Sequence, residues 1–381
     1  MDSFTEVSHQ GWLSRLGGSC AGVLVGLVLT VAAPVLLFWN EGRSVKRARD
    51  LAQGRDMVVE GKAEAVDRAL EGKLVHVSGR ATTDDVLEDP EFGVRVNAVS
   101  LERRVEMYQW KEEKHTRTRK NLGGSETKET TYEYEKTWSD HPISSSGFRH
   151  REGHENPGRF PVEHLSVHAR LVQLGAYRLS DAQVREFGGF TPLGGSDLPG
   201  PGAGRHAIPG GYYLGPNPGS PEIGDVRVTF KAAYPADVSV IAQQTGDTFR
   251  PLAMETGNTL SRLEMGLVSA EAMFAHAEAE NAALTWGLRL LGFFLMGIGI
   301  SLIFRPLSVA ADVVPFVGNL VGMGTGCAAF GLAAVGSLVT IGVGWVAWRP
   351  LVGIPLLALG GGGLVALIVM GAKAKARRAA A

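Results

Sequence analysis

Cysteine is nearly absent, with only Cys20 and Cys327 in 381 residues. Both fall in apolar runs, where a thiol packs as a small hydrophobe, so neither a disulfide framework nor a cysteine metal site is expected. A basic excess is lacking too, since 38 Lys and Arg face 39 Asp and Glu for a net charge of −1. That balance argues against a nucleic-acid partner. There is no phosphate loop, dinucleotide fingerprint, Gly-x-Ser-x-Gly elbow or His-Glu-x-x-His. No catalytic residue and no cofactor is therefore assigned.

Charge is scarcest in four stretches, and these organise the chain. Residues 18–39, 290–304, 320–348 and 351–370 are almost uncharged. At about 1.5 Å per helical residue the longer ones cross the roughly 30 Å core of a bilayer, and Thr285 to Arg289 extends the second. The expectation is a multi-pass membrane protein: four transmembrane α-helices, with a large β-rich α+β soluble domain inserted between the first and second. The predicted segments are a tail 1–17, helix 18–39, an amphipathic juxtamembrane stretch 40–57 and the domain 58–268. They continue with a helix 269–304 leading into the second span, an interfacial loop 305–319, helices 320–348 and 351–370, and a tail 371–381. The first span is read as a retained anchor, because nothing like Ala-x-Ala follows it. Ionisable residues look essentially missing inside the spans, which leaves a proton relay without machinery.

Glycine, at 50 residues, is abundant. Gly18, Gly22 and Gly26, and again Gly318, Gly322 and Gly326, are spaced four apart. Such stripes let helix backbones approach closely, and they are the candidate helix-packing residues. Arg43, Lys46, Arg47 and Arg49 form the basic face of the juxtamembrane stretch and suit a headgroup layer. Lys373, Lys375, Arg377 and Arg378 make a comparable cluster in the C-terminal tail, so charge alone leaves the orientation nearly undecided.

Strand patterns fill the middle. Val226, Val228 and Phe230 alternate with Arg227, Thr229 and Lys231, and a similar alternation runs over 73–79. Residues 101–111 and 130–139 read as a hairpin pair, joined by a protruding, solvated charged arm over 111–130. His150, His154, His164 and His168 are two pairs spaced by four, a zinc-like spacing on a helix. Gly153, Pro157 and Pro161 interrupt it, so these four remain weak metal candidates and no metal is assigned.

Several ordered motifs carry a resemblance. They include Asn40-Glu41-Gly42-Arg43, Asp89 to Val94, Val105 to Trp110, Gly153 to Pro157, Pro221 to Val228, Thr285 to Arg289 and Arg349-Pro350. In these the chain resembles the transmembrane protein 43 (LUMA) family over nearly its whole length. The resemblance implies one N-terminal span, a large lumenal domain, three C-terminal spans and both tails on the cytoplasmic side. Animal members of the family self-associate in the endoplasmic reticulum and inner nuclear membrane and organise complexes that include emerin and lamins. No catalytic activity is established for the family. The glycine- and alanine-rich composition here suggests a bacterial inner membrane, where only the membrane-organising role would transfer. The expected function is a non-enzymatic, self-associating scaffold whose partners are the bilayer, other copies and other membrane proteins. The alternatives are a pore or channel modulator, and a metal-dependent hydrolase using the four histidines.

Overall fold

The computed structural model describes residues 2–348 and, beyond them, 351, 353–355, 358–363, 365–366 and 369–370. The Arg349-Pro350 turn and the basic tail 371–381 lie outside the described residues, and so does part of the fourth expected span. Four helices are used below: α1 (Trp12–Met57), α2 (Asp181–Glu186), α3 (Ala270–Ala311) and α4 (Pro315–Trp348). Three of them, α1, α3 and α4, are long and apolar enough to cross a membrane, and the large β-rich domain lies between the first and second. The chain divides into two units, one of residues 2–5, 50–115 and 131–276, the other of residues 6–49, 116–130 and 277 onward.

The first unit holds most of the β-rich domain, while strand residues 6–10, 116–120 and 126–130 are counted with the second. One sheet is ordered Asp2–Gln10, Glu126–Ser139, Ser100–Lys120, Val226–Ala233, Gly211–Leu214 and Arg205–Ile208, with two short strands beside it. Its central pairing is antiparallel and runs eight residues, from Val226 opposite Met107 to Ala233 opposite Ser100. The second sheet is built on Leu74–Thr82 against Asp237–Thr245, with Val77 opposite Val240. Val226, Val228 and Phe230 are buried while Arg227, Thr229 and Lys231 are half-exposed, as the period of two requires. Val75, Val77 and Val240 from one sheet share a core with Leu101, Val105 and Phe230 from the other. Each such side chain contributes about 1.5–3 kcal/mol by leaving water.

Strand Leu74–Thr82 departs from simple alternation, because Leu74 and His76 are buried along with Val75 and Val77. His76 has partners on its face: Nδ1 lies 2.7 Å from Glu60 Oε2 and Nε2 lies 2.9 Å from the Val268 carbonyl. The last turns of α1 and the first of α3 also belong to this unit. Asp50 is fully buried and accepts hydrogen bonds from Thr256 Oγ1 (2.7 Å) and Asn258 Nδ2 (2.7 Å). Gly54 lies so close to Leu260 and Phe274 that a side chain there would displace one of them. Ser269 caps α3, its Oγ accepting from the Ala272 amide at 3.3 Å.

The rest of the second unit is helical. In it α1 and α3 run antiparallel: Gly26 meets Gly299, Leu37 meets Gly292, and Asn40 meets Thr285. Helix α4 packs against the pair, with Phe330 on Gly297, and Ala333 joining Ala33, Leu37 and Met296 in a small core. Outward residues such as Leu24, Val28, Val31, Val35 and Met323 are exposed, as a lipid-facing surface requires. Helix α3 continues through Arg305 and Pro306 to Ala311, so the helical path runs further than the residue 304 expected from the breakers.

Candidate functional site

Helix α1 carries Asn40 and Glu41 into the bundle with both side chains fully buried. The antiparallel α3 brings Arg289 alongside, and its guanidinium donates twice to the carboxylate: Nε to Oε1 at 2.7 Å and Nη2 to Oε2 at 2.7 Å. From α4, Trp345 Nε1 donates to Glu41 Oε2 as well. The Arg289 guanidinium also lies over Trp286, 4.7 Å from the ring centroid, and 5.7 Å from the Trp345 centroid. One carboxylate thus fastens three helices. A fork-shaped pair holds geometry as well as charge, and in a low-dielectric surround it survives only when its remaining polar atoms are also satisfied.

One turn along, the network continues. Asn40 Nδ2 donates to the Thr285 carbonyl at 3.1 Å, and Arg43 donates to Asn281 Oδ1 at 3.1 Å and to Asn40 Oδ1 at 3.2 Å. The expectation that the spans hold essentially no ionisable residues is therefore corrected. Glu41 and Arg289 stand at span ends in the sequence, but antiparallel packing places them against each other inside the bundle.

A second charged cluster lies at the other end of α1. Asp312, only 1% exposed, takes Arg15 Nη2 at 2.5 Å and Lys120 Nζ at 2.7 Å. Arg15 also pairs with Glu126 at 2.6 Å and donates to the Gly124 carbonyl. Trp12 Nε1 donates to the Val309 carbonyl at 2.9 Å, and the Gly123 amide to the Val313 carbonyl at 3.1 Å. The tip of the charged arm is thus anchored rather than protruding free, because Lys120 and Glu126 meet buried countercharges. Its turn needs backbone in the left-handed region, which Gly123 (φ 83°) and Gly124 (φ 81°) supply.

The residues singled out from sequence are distributed as follows. Gly26 is at the closest helix contact, where a Cβ would stand 2.6 Å from the Gly299 carbonyl. Gly22 faces Leu302 at 3.9 Å, Gly322 faces Ser308, Gly318 abuts Asp312, and Gly18 and Gly326 have open space around them. Arg43 turns toward Asn281, whereas Lys46 and Arg49 are exposed and Arg47 is half-buried.

The four histidines do not converge. His150 stacks on Phe4 at 4.1 Å and His154 on Tyr134 at 3.9 Å, while His168 Nδ1 lies 2.8 Å from Ser100 Oγ. His164 Nδ1 accepts from the Val105 amide at 3.3 Å. The first pair lies in a turn with Gly153 at φ 80° and the second at the strand Leu165–His168, so neither pair is on a helix and the spacing by four does not carry its helical meaning. Among the described residues no group of three or more His, Cys, Asp or Glu is placed to hold a metal.

The family model described as Transmembrane protein 43 matches residues 107–350. The rat protein Transmembrane protein 43 is 37% identical over 358 residues, 91% of this chain and 89% of the relative. Its human counterpart is 37% identical over 90% of this chain and 88% of the relative. A Drosophila melanogaster homolog is 32% identical over 88% and 91%. No solved structure matches. None of these names describes an enzyme. With a family model covering well over half its length and relatives above 30% identity, the chain is a member of the transmembrane protein 43 family.

Proposed function

We propose that this chain is a non-enzymatic membrane scaffold that self-associates and organises other membrane proteins or the membrane itself through its β-rich domain. The observation that carries this reading is the Glu41 carboxylate, fully buried and held by two bonds from Arg289 and one from Trp345. A carboxylate so committed is a fixed joint between helices. A proton carrier or ion ligand needs a group that can exchange partners. The exposed apolar faces of α1, α3 and α4 give the bundle a large surface for lipid or for neighbouring helices. The open glycines Gly18 and Gly326, with Gly22, leave part of each stripe available to a second copy.

A fourth span over 351–370 places both termini on one side. By the resemblance that side is the cytoplasm, with the domain opposite it. The relatives matched above are animal proteins, and the bacterial inner membrane rests on composition alone.

The deciding experiment is the mass of the full-length protein in a mild detergent, with identification of whatever accompanies it. A discrete homo-oligomer, with or without recurring membrane partners, supports the scaffold. A bare monomer removes self-association from the reading, and ion flux through protein-containing liposomes would favour a pore instead.

A further inference from the structure

Three strands of the first sheet stand together: Asp2–Gln10 on the outside, Glu126–Ser139 in the middle and Ser100–Lys120 beyond it. Side-chain pairs give the register, Thr5 with Thr131 and His9 with Thr127 on one side, and Lys111 with Glu135 and Thr116 with Thr130 on the other. Both pairings are antiparallel, so the outer strand and strand Ser100–Lys120 run in the same direction. The latter pairs in register with its next neighbour in the sheet as far as Met107, and Tyr108 adds backbone bonds to Gly224 and Asp225. The ribbon therefore has two edges. One is the strand Asp2–Gln10, exposed at all but Glu6 and Gln10, and the other is the arm segment 111–120, exposed at each residue from Lys114 to Arg119.

The edges differ in charge. The outer strand has Asp2 and Glu6 and no Lys or Arg, whereas the arm segment has five Lys and Arg against two Glu. Basic side chains on an edge oppose pairing with an identical edge, since like charges directly across a strand pair repel. They favour an acidic edge. A contact between two different edges repeats head to tail, and it closes into a ring when the rotation permits.

We propose that the acidic edge Asp2–Gln10 of one copy pairs with the basic edge 111–120 of a second copy, joining the ribbons into a continuous sheet. The proposal rests on the self-association reading and names its interface. Within a copy the ribbon is antiparallel, and each junction between copies is parallel when the copies share one direction. Closed barrels need about eight strands, so a ring of three-stranded ribbons needs at least about three copies.

Cysteine cross-linking in membranes containing the full-length chain tests this. In a background of Cys20→Ser and Cys327→Ser, one population carries Ser8→Cys. A second, differently tagged population carries Thr116→Cys, Arg117→Cys or Thr118→Cys, to cover the register. Within one copy the two positions lie on strands separated by a third, about 9–10 Å apart, beyond the roughly 7 Å that a disulfide spans. Any disulfide must therefore join two copies. The expected result is an oxidised dimer containing both tags at one register or more. A chain carrying Ser8→Cys and the matching arm cysteine is expected to give a ladder of higher species. Adding Asp2→Lys and Glu6→Lys to the first population is expected to lower the yield severalfold. No cross-link at any register, in a protein that is oligomeric by mass, overturns this interface and leaves the scaffold standing. A protein that is monomeric by mass and uncross-linked overturns both.

Discussion

Arg289 is the side chain on which the bundle's internal electrostatics turn. Replacing it with Leu leaves the buried Glu41 carboxylate without its bidentate partner, and loss of one partner of a buried pair costs about 3–5 kcal/mol. The expected outcome is a large drop in resistance to unfolding in mild detergent, measured by tryptophan fluorescence. The double variant Glu41→Leu/Arg289→Leu should recover most of it, because both desolvation penalties disappear together. An Arg289→Leu protein as stable as its parent would show that the pair does not hold the helices.

In the β-rich unit, Tyr213 offers a separate test. Burial, reinforced by its hydrogen bond to Asp225 at 2.5 Å, pushes the phenol well above its ordinary range. The folded chain holds that proton more tightly than the unfolded one does. Its stabilising contribution is complete below the unfolded value of about 10 and is lost as pH climbs through the folded value. Phenolate absorbance should show Tyr213 titrating late. Tyr213→Phe should make stability fall less steeply above about pH 10, and an unchanged alkaline limb would contradict the assignment.

Among the elements, α1 and α3 depend on a glycine that the spacing alone does not rank. Gly26→Leu drives a side chain into the Gly299 backbone and is expected to cost at least about 1–3 kcal/mol of bundle stability, whereas Gly18→Leu meets nothing within 4 Å. If Gly18→Leu reduces the oligomer's mass while leaving thermal unfolding unchanged, the open stripe serves a neighbouring copy. The arm is the other element with a defined weak point. Asp312→Asn removes the negative charge between Arg15 and Lys120 and should free the tip. Limited proteolysis at Lys120 is the measurement, with cleavage expected to rise at least about tenfold if local opening becomes easier by about 1.4 kcal/mol. An unchanged rate would place the tip's anchorage in the backbone bonds of Gly123 and Gly124 instead.

The chain combines a two-sheet core with a helical bundle that exposes apolar residues such as Leu24 and Val28 and pairs Glu41 with Arg289 and Arg15 with Asp312 inside. The rat and human relatives align with 91% and 90% of this chain.

Periodicity and hydropathy are local quantities, and they sufficed for three of the four expected spans, the strand Val226–Ala233 and the hairpin over 101–139. An uncharged run of twenty residues has one stable environment, and a period of two has one face to bury. Partner choice is not local. Glu41 and Arg289 are 248 positions apart and Arg15 and Asp312 are 297 apart, so only antiparallel packing of α1 and α3 makes them pairs. The four histidines illustrate the converse. Their spacing is suggestive only on a helix, whereas the first pair lies in the turn at Gly153 and the second at the strand Leu165–His168. Sequence thus decided which segments leave water. Tertiary structure decided which charges meet once they have, because desolvation makes each buried charge depend on whatever the fold sets beside it.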